Sequence, residues 1–474
     1  MRRAIVGLIA AALGMTTTPA LAEDPPALEG TSLIAAPPPA TYAGQAATIS
    51  FSLTTGEPPQ PFADQPVTVE RQHGGVWEPV GTVTTDATGA GKAAVTASRI
   101  PADNAVRFAY AGDATHAAAQ VVVGIPLRRR ASRVTVSGPG SVVDERASRV
   151  TVTWRADDGE GVAGRVTLQV AERAVVKKGK RRTVVWRWRT ATVLTTDARG
   201  VAAYTTTPRV DTRWRALAPT LPWVTGGTSG VYQLDNRPPG LPVTLPRRAP
   251  SPKRALPVQP HAVGPGPNAV VSDIPDPVWR SMVGHTWHTG CPVGRSGLRL
   301  VRVNYWDYTG YRRRGEIVAA DEVAGQVADA FSDLYLHQIP IRSMVREDRF
   351  GWSRRLHGAD DYKSMQAGNT SGFNCRGVVG NTRVRSPHSY GTAFDVNTWE
   401  NPYRSAQGIV PDRWWQTRSH PRVAWRSRSH VVVRIMAAHG LRWTYGLGDT
   451  QHFDAVPPGA SRAIVVGCGL KVCE

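Results

Sequence analysis

Cysteine is scarce in this chain: there are four among 474 residues, and Cys291, Cys375, Cys468 and Cys473 all lie beyond Pro277. Any fold in the first 290 residues is therefore held by packing, without a disulfide framework. Acidic residues are few as well, 37 against 57 Lys and Arg, which leaves a net charge of +20. A surplus of that size draws a protein to anionic polymers. The helical and zinc-finger signatures that place a reading element in a nucleic-acid groove are missing, so nucleic acid is not the expected partner. Beyond the N-terminus no apolar run approaches the ~20 residues needed to span a bilayer.

What is present begins with MRRAIVGLIAAALGMTTTPALA, residues 1–22. Two arginines precede an apolar run from Ala4 to Leu13, and Ala20-Leu21-Ala22 fits a small-x-small cleavage site. This is the pattern of a secretory signal, and no cysteine stands at the expected cut to take a lipid. The mature protein is expected outside the cell, secreted or associated with the cell wall.

With 474 residues, 46 Gly and 37 Pro, the chain is expected to be multidomain, at roughly 100–200 residues per domain. Residues 23–127 run in short alternating segments, ATISFSL, QPVTVERQ, GVWEPVGTVTTD, GKAAVTA and AVRFAYAG, which predict half-buried antiparallel strands. About seven of them in ~100 residues predict a β-sandwich. Residues 128–235 repeat the plan with SRVTVSG, SRVTVTWRA and GRVTLQVAE, and VTTDATGAGKAAV at 82–94 returns as LTTDARGVAAYTT at 194–206. These segments resemble bacterial immunoglobulin-like repeats, without the antibody-type disulfide. Lys177, Lys178, Lys180, Arg181 and Arg182 surround Gly179 between two strand-like runs, which reads as a hairpin with a basic tip. That tip is either a contact for anionic wall polymers or a solvated end. Residues 236–277 are rich in Pro and Arg and predict a semi-rigid basic linker.

Residues 278–474 change character. Val323, Val327, Phe331 and Leu334 follow helical spacing after Asp321, read as a cap, and Val432, Ile435 and Met436 do so between Ser429 and Gly440. A small α+β domain is expected. Its four cysteines allow three disulfide pairings, of which we take Cys291–Cys375 with Cys468–Cys473.

Chemistry concentrates in two stretches of this domain. SPHSYGTAFDVN, residues 386–397, offers His388 and Asp395; GDTQHFDA, residues 448–455, offers Asp449, His452 and Asp454. Two imidazoles and a carboxylate form a three-ligand set that leaves a fourth zinc position for water, as catalytic zinc sites require. His452 and Asp454 share a face in a regular strand, whereas Asp449 and His452 share one only across a turn, helix or bulge. Asp454 is then a rival base or a partner of the ligands.

The pattern Ser386-x-His388-x-x-Gly391-x-Ala393-x-Asp395, followed by Asp449-x-x-His452-Phe453, resembles the zinc peptidases of the M15 family, the VanY-type D-Ala-D-Ala carboxypeptidases and phage endolysin L-alanyl-D-glutamate peptidases. GCPV at 290–293, RGEIV at 314–318, NTSGFNCR at 369–376 and ENPY at 400–403 resemble the endolysin subgroup. The resemblance spans roughly residues 278–460. It implies that His388, Asp395 and His452 bind Zn2+, that Asp449 is the general base where many members carry glutamate, and that Arg376 stabilises the oxyanion. The implied substrate is the stem peptide of bacterial peptidoglycan, cut at D-Ala-D-Ala or inside the stem.

Other candidates have plainer readings. His285 and His288 have ligand-like spacing but no third partner in their motif. Asp360 and Asp361 either contact a substrate ammonium or cap a loop, and Trp414, Trp415 and Trp443 either wall a cleft or fill the core. The expected fold is thus two all-β immunoglobulin-like sandwiches followed by an α+β zinc peptidase domain. The competing class is a non-enzymatic wall-binding or adhesion protein with a degenerate peptidase domain.

Overall fold

The computed structural model describes residues 27–179, 181–378, 381–405 and 408–457. The expected signal, Lys180, and the Cys468 and Cys473 pair lie outside them. No helix among the described residues is long and apolar enough to cross a membrane.

The N-terminal alternation becomes two facing sheets. Ala46–Thr55 pairs with Thr31–Ala35, Gln60–Pro61 and Ala90–Thr96, while Pro66–His73 joins Val76–Thr84 to Ala105–Tyr110 and Ala119–Gly124. Every second side chain turns inward, so Ile49, Phe51 and Leu53 meet Val67, Val69, Val106 and Phe108 in one apolar core. The next segment builds a second pair of sheets. Ser148–Ala156 lies between Ser132–Ser137 and Val201–Thr206, and it faces a sheet containing Tyr232–Arg237, Thr212–Ala218, Gly164–Lys178 and Arg181–Thr196. Trp154, Leu168 and Trp214 fill the space between them.

The repeated Thr-Thr-Asp phrase is the same turn built twice. Asp86 Oδ1 accepts from the amides of Thr88 at 2.8 Å and Ala90 at 3.0 Å, and Asp197 Oδ1 accepts from Arg199 and Val201, both at 2.9 Å. Gly89 and Gly200 hold φ of +72° and +73°. A Cβ on Gly200 would lie 2.0 Å from the carbonyl oxygen of Trp154, so glycine is required there on two counts.

The Pro-rich stretch does not hang free between domains. Gly240 and Val243 donate to the carbonyls of Gly310 and Tyr308, Trp399 Nε1 donates to the carbonyl of Pro250, and Leu245 and Ala249 pack on Trp399 and Trp415. Proline removes backbone donors, and the C-terminal domain supplies partners for the groups that remain. Val270–Asp273, inside the expected linker, is an edge strand of the C-terminal sheet and pairs with Leu298–Trp306. The second sandwich is fastened to the same domain: Arg312 pairs with Glu145, which Arg209 of the sandwich also holds, and Tyr311 Oη donates to the carbonyl of Asn236 at 2.6 Å.

In the C-terminal domain, Leu298–Trp306 and Arg312–Ala320 form a hairpin covered by the helix Asp321–Leu336. The helix buries Val323, Val327, Phe331 and Leu334 against it. Its N-cap is Ala320 rather than Asp321, which instead opens the first turn and pairs with Arg299 at 3.0 Å. Cys291 and Cys375, 84 positions apart in sequence, are joined as a disulfide with Cα atoms 5.9 Å apart. Closing a loop of that length restricts the unfolded chain strongly. Cys291→Ser is expected to cost about 2–5 kcal/mol of stability, read as a lower unfolding midpoint under non-reducing conditions; an unchanged midpoint would show that packing alone holds the loop.

Candidate metal centre

Two short strands carry half of the site. Ala393–Asp395 pairs antiparallel with His452–Ala455, and the register sets Asp395 directly opposite His452. Phe394 and Phe453, one position along on each strand, face the other way into the core. His388 arrives from the 3-10 turn Pro387–Tyr390, which closes at Gly391 with φ +73°. The amide of Ala320 donates to the Gly391 carbonyl at 2.8 Å, and a Cβ on Gly391 would stand 2.7 Å from that same amide nitrogen. Glycine therefore lets the turn press against the central hairpin, and this fixes His388.

The three side chains converge. His388, Asp395 and His452 are 2%, 1% and 0% exposed, and one donor atom from each lies within 4.8 Å of the others. His388 Nε2 is 3.3 Å from Asp395 Oδ2, and His452 Nδ1 is 3.3 Å from Asp395 Oδ1. The far side of each imidazole is occupied: His388 Nδ1 meets the carbonyl of Gly372 at 2.9 Å, and His452 Nε2 meets Asp454 Oδ1 at 3.2 Å. These contacts give each outer nitrogen an acceptor, so that a ring bound to a cation would keep its proton there and present the inner lone pair.

The residues fit a divalent cation. His388 Nε2, His452 Nδ1 and Asp395 Oδ1 are buried without a hydrogen-bond partner. Buried polar atoms left unsatisfied are costly, and three of them aimed at one another make sense where a cation satisfies all three. Two imidazoles with one carboxylate are the donor types that zinc prefers. The local field agrees with this. Burial pushes the Asp395 carboxyl up, but His388 and His452 outweigh it and hold the group well below the ordinary carboxylate range. Burial opposes charge on His452 too, yet Asp454 and Asp395 raise it well above the ordinary imidazole value. Positive charge is favoured at this point of the fold.

Asp454 thus orients His452 from the same face of a regular strand. Asp449 lies in the preceding turn, buried, in an isolated antiparallel bridge with Tyr403. Arg376 is buried beside the His388 turn, where Ser389 Oγ receives its amide and donates to its carbonyl, both at 3.0 Å. Its Nη2 pairs with Asp361 Oδ2 at 3.0 Å. Asp361 is therefore engaged inside the domain, and Asp360 caps the helix Asp361–Ala367 by accepting from the Lys363 amide. Behind this pair lies Glu347, bonded to Ser364; burial and then the Asp361 carboxylate push it well above the ordinary acid range.

The remaining candidates take structural places. His288 Nε2 sits between the carbonyls of His357 and Cys375, and His285 Nδ1 contacts the carbonyl of Ser281. Trp415 and Trp443 are core residues, and Trp414 packs beside Trp415. Sequence reasoning missed Gln451, whose Nε2 donates to Asp395 Oδ2 at 3.3 Å, as well as Glu347 and the Gly372 carbonyl. A backbone carbonyl leaves no mark in a sequence, although Gln451 stood beside His452.

Residues 379–455 match the M15 peptidase family described as D-alanyl-D-alanine carboxypeptidase. The C-terminal part of the chain thus carries a peptidase-family domain behind a β-rich N-terminal half. No curated protein matches the chain. Among solved structures, the tetra-tandem repeat in the extending region of a large adhesion protein is similar at 14% identity, over 62% of this chain and 74% of its own, with a TM-score of 0.28. Native Escherichia coli alpha-2-macroglobulin is similar at 11% identity, over 45% of this chain, with a TM-score of 0.19, and the elastase-activated form is similar at 11% over 57%, also with 0.19. The chain spans 17% and 25% of those two macroglobulin chains.

Removing the support of a ligating histidine typically costs 10–100-fold in metal affinity. Asp454→Ala is expected to weaken zinc binding by about that factor in competition with a chromophoric chelator, and an unchanged affinity would remove Asp454 from the site. Glu347 gives a pH test. Its folded value is raised, so its contribution to stability is complete below the ordinary 4.5 and is lost as pH rises to and through the folded value. As pH rises above the ordinary 4.5 toward the raised folded value, the wild type should lose thermal stability that Glu347→Gln retains; parallel melting curves would contradict this.

Proposed function

We propose that this protein is a zinc-dependent peptidase that hydrolyses peptide bonds in the stem peptides of bacterial peptidoglycan. On this reading it works outside the cytoplasm after export by residues 1–22, with two immunoglobulin-like sandwiches ahead of the catalytic domain. The observation that carries the reading is the buried convergence of His388, Asp395 and His452, whose inner donor atoms have no other partner. The family match over residues 379–455 supports the peptide-bond chemistry.

His388, Asp395 and His452 would hold the ion, which would supply the Lewis acidity that a water nucleophile needs near neutral pH. Asp449 is the general base: it takes the proton of the attacking water and passes it to the leaving amine. Arg376 offers a fixed, always-charged guanidinium to the developing oxyanion, and Asp361 holds that guanidinium in place. Asp454 and the Gly372 carbonyl keep the two imidazoles in the tautomer that presents a lone pair. A full set of donors, each supported from behind, favours an enzyme over a degenerate wall-binding relative.

Digestion of purified peptidoglycan followed by mass spectrometry tests the activity and names the bond. Loss of a terminal alanine identifies a carboxypeptidase, whereas release of a stem peptide identifies an endopeptidase. A zinc-loaded protein that creates no new termini would overturn the proposal. Asp449→Ala is expected to keep about one zinc per chain while hydrolysis falls by roughly 100- to 10,000-fold, the usual worth of a general base. Full activity in that variant would move the base elsewhere.

A further inference from the structure

The second sandwich carries an organised cationic surface on the face turned away from its core. In the strand Thr212–Ala218, Trp214 and Ala216 point inward, which puts Arg213 and Arg215 outward at the ~6.8 Å repeat of alternate strand positions. Each guanidinium stacks on a tryptophan two strands away. Arg213 lies 4.2 Å from the Trp186 ring centre, and Arg215 lies 4.3 Å from that of Trp188. Arg215 Nε is steadied by Gln169 Oε1 at 2.8 Å. Between them Ala171, flanked in the register by Trp188 and Arg213, is completely buried although it belongs to the outer face. The ladder is therefore packed.

Its charges are uncommitted. Arg130, Arg189 and Arg209 of this sandwich pair with carboxylates, but no carboxylate pairs with Arg213 or Arg215 among the described residues. The three ladder strands place Arg165, Arg173 and Lys177 on the same face and no acid. Stacking fixes the guanidinium plane, so little side-chain freedom is lost when an anion is bound. The same stacking covers one face of each indole, which leaves less open ring for an unstacked base than a single-strand nucleic-acid platform presents.

We propose that this face binds an extended anionic polysaccharide whose acidic groups are received by Arg213 and Arg215. This goes beyond the peptidase reading and does not depend on it. The test uses the full chain and polygalacturonate as probe, with dextran as the neutral control and oligothymidylate as the competing polyanion. Arg213→Gln/Arg215→Gln is expected to weaken polygalacturonate binding at least tenfold, while Arg133→Gln/Arg149→Gln, which removes equal charge from exposed positions on the opposite sheet of the same sandwich, changes it less than threefold. Arg215→Lys keeps the charge but loses the planar fork, and it should weaken binding severalfold with an unchanged melting point. Equal losses in the two double variants would reduce the effect to diffuse charge and overturn the proposal. So would tighter binding of oligothymidylate, or dextran binding as well as polygalacturonate.

Discussion

The candidate centre depends on one pairing, Ala393–Asp395 against His452–Ala455. In a strand the side chains alternate, so this register does two jobs at once. It drives Phe394 and Phe453 into the apolar core and leaves Asp395 and His452 facing each other on the opposite side. A slip of one residue would exchange the two sets, burying the ligands in the core and turning the phenylalanines toward the centre. Core packing thus enforces the placing of Asp395 and His452, and these two candidate ligands need no flexible loop to find each other.

The third ligand relies on a different device. His388 comes from a turn, and a turn is only as precise as its anchor. Gly391 provides that anchor by letting the backbone approach Ala320, while Asn374 donates its amide to the His388 carbonyl and Ser389 ties the turn to Arg376. The disulfide at Cys375 lies next to these contacts and secures the segment that carries both Asn374 and Arg376. Packing, backbone bonding and covalent closure therefore act on the same few residues.

Much of this was legible in the sequence. Alternation revealed the sandwich strands because their cores are apolar and two-sided, and the repeated Thr-Thr-Asp phrase marked a turn whose carboxylate is used twice over. His388, Asp395 and His452 were legible because ligand chemistry restricts residue type. The role of Asp454 could be narrowed to two options by strand periodicity, and the observed strand leaves it behind His452. The packing of residues 236–277 was not legible: proline content reports the local conformation, whereas docking depends on acceptors such as the Tyr308 carbonyl that any sequence could supply. Glu347 was hidden for a related reason, since nothing local distinguishes a buried glutamate from a surface one. The ladder was hidden too, because Arg213 and Trp186 meet only through a three-strand register.

The two halves of the chain stabilise themselves by different means. The sandwich cores are built almost wholly of Val, Leu, Ile, Ala and aromatics, where misplacing one side chain costs packing and little else. Around the centre, Ser364, Asn369, Ser371, Asn374, Arg376 and Asp361 are buried polar groups, and each must be matched. Asn369 alone contacts Ser343, Val345 and Ser364. Such a network gains little net energy over an apolar core, but nearly every alternative arrangement leaves a donor or acceptor unmet. Specificity of position is what a metal centre and a fixed guanidinium require, so the polar interior belongs to the same constraint as the ligands: it holds charged groups in a place from which they would otherwise escape to water.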